Sequence, residues 1–99
     1  MRAVDNSTLA RWRAMESVKV LSAVADHAKR DRTFQPVKDP GTERWHAAWG
    51  HSDFELLVCG PKFYDTRSRR GGGGAVDLVM HLTGKPFKQA VELLRDAGL

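Results

Sequence analysis

The sequence lacks the features of exported and membrane proteins. No apolar run approaches the roughly 20 residues needed to cross a bilayer. The N-terminus has no basic segment followed by an apolar one, as a secretory signal would have. The single cysteine, Cys59, excludes a disulfide framework, because such a framework needs cysteine pairs. We therefore expect a cytoplasmic protein with no membrane partner.

Acidic residues are fewer than basic ones. The 99 residues include 16 lysines and arginines against 12 acidic residues, which gives a formal net charge of +4 and a pI near 9.6. This length accommodates one compact domain, residues 1–99. A hydrophobic content of 41% is enough for a small core and exceeds that of a disordered chain. The positive excess favours an anionic partner.

Apolar residues at helical spacing predict two helices in the first third of the chain. The first follows the cap-forming residues 5–8. The second is expected to use Ser17 as its cap and to extend to Ala28. Basic residues 29, 30 and 32 would then complement the negative end of the helix dipole.

Alternating residues and turn signals predict a small sheet after Pro36 and Pro40. The expected strands are residues 42–49, 54–59 and 62–66, joined by turns at 50–53 and 60–61. Two helices follow, one over residues 75–82 that ends at Gly84, and one with Pro86 in its first turn. The predicted fold is α+β, with two N-terminal helices, a three-stranded antiparallel sheet and two C-terminal helices.

Most of the net positive charge lies in one segment, residues 62–70. It holds four basic residues and one acidic residue, a balance of +3. Closely spaced arginines repel one another, and a nucleic-acid backbone relieves that repulsion. The rings of Phe63 and Tyr64 could stack on unpaired bases. The alternative is a solvated hairpin end whose arginines only keep the protein soluble.

Four glycines, Gly71 to Gly74, follow this segment directly. Their backbone N–H groups could approach a phosphate at the start of the next helix. The alternative is steric, since a strand that passes close to a helix start also requires small residues. The candidate nucleic-acid-binding residues are Lys62, Tyr64, Arg67, Arg69, Arg70, Gly72 and Gly73.

No pattern predicts catalysis, a cofactor or a metal. The four histidines, at positions 27, 46, 51 and 81, are scattered and do not pair with Cys59 at zinc-site spacing. Asp65 is interpreted as an ion-pair partner of the neighbouring arginines, and Asp77 as a solvent-facing group. We therefore expect a non-catalytic module, although an enzyme centred on Cys59 or on a histidine is a further alternative.

Three stretches carry a family resemblance: Gly-Gly-Gly-Ala-Val-Asp-Leu-Val-Met at 72–80, Thr-Gly-Lys-Pro-Phe at 83–87 and Ala-Val-Glu-Leu-Leu at 90–94. They resemble the N-terminal zinc-binding, zinc-ribbon domain of bacterial DnaG-type primases. The ligands of that family are missing. Gln35-Pro36-Val37-Lys38 stands where the family has Cys-Pro-x-His, and Thr66 and Arg69 stand where it has Cys-x-x-Cys. The zinc of the family is therefore not expected here.

The resemblance implies a module that binds single-stranded DNA, or RNA, in the replication or mobilisation of a bacterial plasmid, phage or integrated element. It also implies a place at the N-terminal end of a longer protein and a replication protein as a second partner. The alternative is a protein-interaction module that docks onto such a partner without touching nucleic acid. That alternative predicts an exposed apolar patch that includes Trp45 or Phe63.

Overall fold

The computed structural model describes residues 3–99 and combines four helices with one five-stranded sheet over that range. The elements in chain order are α1 (Asn6–Arg13), α2 (Ser17–Val24), β1 (His27–Arg30), β2 (Glu43–Trp49), β3 (Ser52–Cys59), β4 (Lys62–Asp65), β5 (Arg70–Gly73), α3 (Ala75–Thr83) and α4 (Phe87–Asp96). The strands follow one another across the sheet in the order β1-β2-β3-β4-β5, and every neighbouring pair is antiparallel. The α+β class is confirmed, whereas the predicted number of strands, three, is wrong.

The first additional strand is β1, which the sequence pattern assigned to the end of α2. The helix ends at Val24, and Ala25 is already extended, with ψ of 147°. The N–H of Asp26 then donates to the carbonyl of Ala48 at 2.8 Å, and Asp26 Oδ2 accepts from the N–H of Gly50 at 2.7 Å. Pairing with β2 satisfies the backbone of this segment, and it overrides the helical spacing of the apolar residues.

The second additional strand, β5, contains three of the four glycines. It pairs with β4, and Gly72 lies directly opposite Phe63. A Cβ atom at Gly72 would lie 2.9 Å from Cζ of Phe63. Gly74, which precedes α3, has φ of 91°, and a Cβ there would lie 3.1 Å from Cα of Arg13. Close approach by neighbouring groups therefore explains why both positions are glycine.

The helix termini follow the sequence signals in part. The carboxylate of Asp5 caps α1 by accepting from the N–H of Thr8 at 2.7 Å, as predicted. Gly84 ends α3 in the left-handed conformation, with φ of 71°. The predicted cap at Ser17 is wrong, because Ser17 lies inside α2. Its N–H instead donates to the carbonyl of Gly60 at 2.8 Å, which ties α2 to the turn between β3 and β4.

The helices and one face of the sheet enclose a single hydrophobic core. Its largest fully buried side chains are Trp12, Leu21, Leu56, Leu78 and Leu94. Trp45, Trp49 and Phe54 pack against this core. We call the opposite face of the sheet the open face; it carries His46, Leu57, Lys62 and Tyr64. No helix among residues 3–99 is long and apolar enough to span a bilayer.

Candidate nucleic-acid interface

Strand β4 divides its side chains between the two faces of the sheet. Phe63 and Asp65 are buried on the core face, at 5% and 4% exposure. Lys62 and Tyr64 lie on the open face, where Tyr64 is 40% exposed. Only one of the two aromatic rings of the predicted segment is therefore available for stacking on a base, since the ring of Phe63 belongs to the core.

Tyr64 forms one wall of a surface hollow on the open face. The hollow has a volume of about 340 Å³, and its lining includes Thr42, Leu57, Cys59 and Lys62. Leu57 lies directly opposite Tyr64, and Cys59 directly opposite Lys62. The hollow thus combines an apolar floor, one aromatic wall and one cationic side chain, which are the groups that can hold a flat base and its phosphate.

The turn between β4 and β5 is organised by Asp65. Its Oδ1 accepts from the backbone N–H groups of Arg67 at 2.9 Å and Ser68 at 3.1 Å. Its Oδ2 lies 2.6 Å from Nε2 of His81 in α3. Burial alone would raise the pKa of Asp65, but the hydrogen bonds from His81, Ser68 and Arg67 outweigh burial and hold the pKa below its usual value of 3.8. The predicted ion pair between Asp65 and the arginines is wrong.

His81 connects this turn to the core. Its imidazole contacts the rings of Phe54 and Phe63, with centroid distances of 5.7 Å and 5.6 Å. The buried carboxylate of Asp65 therefore fixes the turn of residues 66–69, and His81 of α3 fixes that carboxylate. Sequence reasoning did not find His81, because nothing in its local sequence relates it to a residue 16 positions earlier.

The three arginines of the hairpin of β4 and β5, two in its turn and one at the start of β5, project in different directions. Arg67 reaches back along β3 and donates from Nη1 to the carbonyl of Asp53 at 3.2 Å. Arg69 adopts a positive φ of 59° at the turn itself. Arg70 lies opposite Asp65, on the core side of the sheet edge. The side chains of Arg69 and Arg70 are exposed, and neither makes a hydrogen bond or ion pair with residues 3–99.

Gly72 and Gly73 have roles within the fold. Gly72 accommodates the ring of Phe63. The N–H of Gly73 is directed at Oδ2 of Asp77, 3.4 Å away in the first turn of α3. Asp77 is exposed, as predicted. Its carboxylate occupies the position from which a phosphate would accept a hydrogen bond from the N–H of Gly73.

The open face extends beyond the predicted residues to β1 and β2. Lys29 lies directly opposite His46, and His27 lies two residues before Lys29 on the same face. Arg44 is also on this face, but it is paired with Asp31 and lies against the ring of Phe34 at 5.2 Å. The sequence assigned the basic residues of β1 to a helix end, so their place on the sheet was missed.

The aligned zinc-ligand positions do not come together. The loop of residues 31–42 lies at the end of β3, where Asp39 Oδ2 accepts from Cys59 Sγ at 3.5 Å. The turn of residues 66–69 lies toward the start of β3, beside Asp53. Gln35 and Lys38 are therefore at the opposite end of the sheet from Thr66 and Arg69. Within residues 3–99, no group of three or more His, Cys, Asp or Glu side chains could hold a metal ion. The residues at the four aligned positions, Gln35, Lys38, Thr66 and Arg69, are not the thiolate and imidazole donors of a zinc ribbon.

Comparison with known proteins gives one partial likeness. No protein-family model and no solved structure matches the chain. A stretch of 43 residues, 43% of this chain, is 46% identical to part of a protein named "65 kDa protein" from Zymomonas mobilis subsp. mobilis. That stretch covers 7% of the relative. The shared segment is thus a small part of a much longer protein, whose name gives its mass and no activity.

Proposed function

We propose that this domain binds single-stranded nucleic acid, DNA in the first instance, on the open face and on the adjoining turn of residues 66–69. The observation that carries the proposal is the hollow beside Tyr64. It is an exposed aromatic and apolar surface that Lys62 also lines, and Tyr64 precedes the turn of residues 66–69 by two positions. The resemblance to primase zinc-binding domains supports the same function and a setting in replication or mobilisation, with a replication protein as a second partner.

Binding would combine charge and stacking. The unpaired guanidinium groups of Arg69 and Arg70 attract the phosphate backbone, and this attraction weakens as salt is added. A base that stacks on Tyr64 contributes roughly 1 to 3 kcal/mol. Because the ring meets only bases that have left a duplex, the same surface favours single strands. We assign no catalytic role to any residue.

The first test is a charge comparison between two variants. Replacement of Arg67, Arg69 and Arg70 by alanine removes three positive charges from the turn and from the first residue of β5. We expect the slope of log K against log salt for a labelled single-stranded oligonucleotide to become shallower by about 2, because each lost phosphate contact contributes about 0.7.

The matched control removes three charges from the helical side of the domain. Arg13, Lys19 and Lys88 are exposed on α1, α2 and α4. Their replacement by alanine lowers the net charge equally, so any loss that depends on overall charge alone appears in both variants. Equal loss in the two variants, or no binding by the unmodified chain at low salt, would contradict the proposal.

The second candidate function is docking onto a protein partner. The patch that the sequence suggested is not present, because Phe63 is buried and Trp45 packs against the core. Phe87 is instead 45% exposed, beside a hollow between α1, α3 and α4 that Leu9 and Met80 also line. Binding to a replication protein through this side would be insensitive to salt and would be lost in Phe87→Ala.

A further inference from the structure

Three residues that sequence reasoning left apart lie together on the open face at the edge of the sheet. Lys29 of β1 is directly opposite His46 of β2, and His27 projects from the same face of β1. The intervening Ala28 is opposite the buried Ala47, so it belongs to the core side. All three polar side chains are exposed.

The two histidines line two adjoining hollows. One hollow, of about 610 Å³, is also lined by Lys29 and Arg32. The other, of about 250 Å³, is also lined by Asp53 and Arg67. The imidazoles of His27 and His46 therefore lie between the cations of β1 on one side and the arginine-bearing turn on the other.

We propose that His27, Lys29 and His46 form a second site for the phosphodiester backbone, and that its affinity depends on protonation of the two histidines. This inference rests on the proposed function and extends it across the sheet. Neighbouring strands lie about 4.8 Å apart, so β4 and β1 are separated by about 14 Å. Bases that stack at about 3.4 Å cover this distance with about four nucleotides.

The charged groups around His27 and His46 determine how strongly protonation of the two imidazoles changes the attraction of this surface for phosphate. Oδ2 of Asp31 lies 3.9 Å from Nε2 of His46, but this carboxylate is already bound by Arg44 and Thr33. The hydroxyl of Thr33, followed by Arg44, holds the pKa of Asp31 far below its usual range, so it stays ionised.

The remaining carboxylates come from the chain before β1 and from β3. Glu55 is directly opposite His46 and accepts from the hydroxyl of Thr66 at 3.1 Å. Asp53 lines the second hollow, and Asp26 precedes His27 and accepts from a backbone N–H. Arg30 also lines the first hollow and is paired with Glu43 at 3.5 Å. The charged groups around the two histidines, with their ion-pair partners, are then five basic and five acidic: Lys29, Arg30, Arg32, Arg44 and Arg67 against Asp26, Asp31, Glu43, Asp53 and Glu55.

With neutral imidazoles these formal charges cancel, and the surface has little attraction for a polyanion. Protonation adds two positive charges and turns both ring nitrogens of each imidazole into donors. Histidine is the side chain that makes this change near neutral pH. A phosphodiester chain complements the protonated surface, and the neutral surface lacks that complementarity.

The test measures the salt dependence of binding at two pH values. The full chain is titrated against a labelled oligothymidylate long enough for both sites, about twelve nucleotides, at about pH 6 and about pH 8. We expect the slope of log K against log salt to be steeper at the lower pH by about 0.7 for each protonated histidine, or about 1.4 in all. The double variant His27→Gln, His46→Gln should give the same slope at both pH values.

His51→Gln is the matched control, because His51 is exposed in the turn between β2 and β3 and lines neither hollow. It should keep the pH effect of the unmodified chain. A pH effect that survives in the double variant, or that is absent from the unmodified chain, overturns the second site and leaves the proposed function standing. No binding at either pH overturns both.

Discussion

Gly72 and Gly73 are neighbours in β5, but their surroundings differ. A Cβ atom at Gly72 would lie 2.9 Å from the buried ring of Phe63. At Gly73 the nearest atom is the carbonyl oxygen of Pro61, at 3.8 Å, which is an ordinary contact. The glycine run therefore contains one position that the core requires and one that it does not.

We expect Gly72→Ala to lower the free energy of unfolding by about 1 to 3 kcal/mol, because the core must shift to admit the methyl group. Gly73→Ala should change it by less than about 0.5 kcal/mol. Urea unfolding followed by tryptophan fluorescence measures both. Equal effects of the two substitutions would mean that Phe63 does not constrain β5.

The hairpin of β4 and β5 is the element on which the candidate site depends most. Its turn carries Arg67 and Arg69, Arg70 begins β5, and the carboxylate of Asp65 fixes the turn by binding two backbone N–H groups and His81. The folded protein therefore favours the ionised form of Asp65, and the pKa is held below 3.8. As the pH falls, the unfolded chain therefore takes up a proton at Asp65 at a higher pH than the folded chain does.

Stability should therefore fall as the pH decreases from about 5 to about 3, since the contribution of a carboxylate with a lowered pKa is complete above its unfolded pKa and is lost below it. We expect Asp65→Asn to make this decline shallower. Asp77→Asn is the control, because Asp77 is an exposed carboxylate of the same region. Denaturant unfolding across this range measures the effect, and identical pH profiles for the two variants would contradict it.

The elements that sequence predicted correctly are those with a clear local signal. Strands β2, β3 and β4 show alternation between tight turns, and α3 ends at Gly84 as its sequence indicates. Strands β1 and β5 were missed for different reasons. Residues 27–30 continue the helical spacing of α2, and only pairing with Ala48 makes them a strand. Strand β5 is mostly glycine, so it has no side-chain alternation to detect.

At the scale of the whole molecule, the two sides of the sheet differ in composition. One side is closed by four helices over a continuous apolar core, and the other presents polar, basic and aromatic side chains. Sequence reasoning named Lys62, Tyr64 and Arg67 on this open face. It could not add His27 or His46, because their proximity follows from the register of β1 and β2, which is a long-range property.

Nucleic acid bound on the open face and on the turn of residues 66–69 would change the surroundings of the backbone amides there. The most direct measurement is a titration of isotopically labelled protein with a single-stranded oligonucleotide, followed by the shifts of its backbone amide resonances. We expect the shifts to be concentrated at His46, Leu57, Tyr64 and the turn of residues 66–69, with little change along α4. Shifts concentrated around Phe87 and the helices, with the open face unchanged, would contradict binding on the open face.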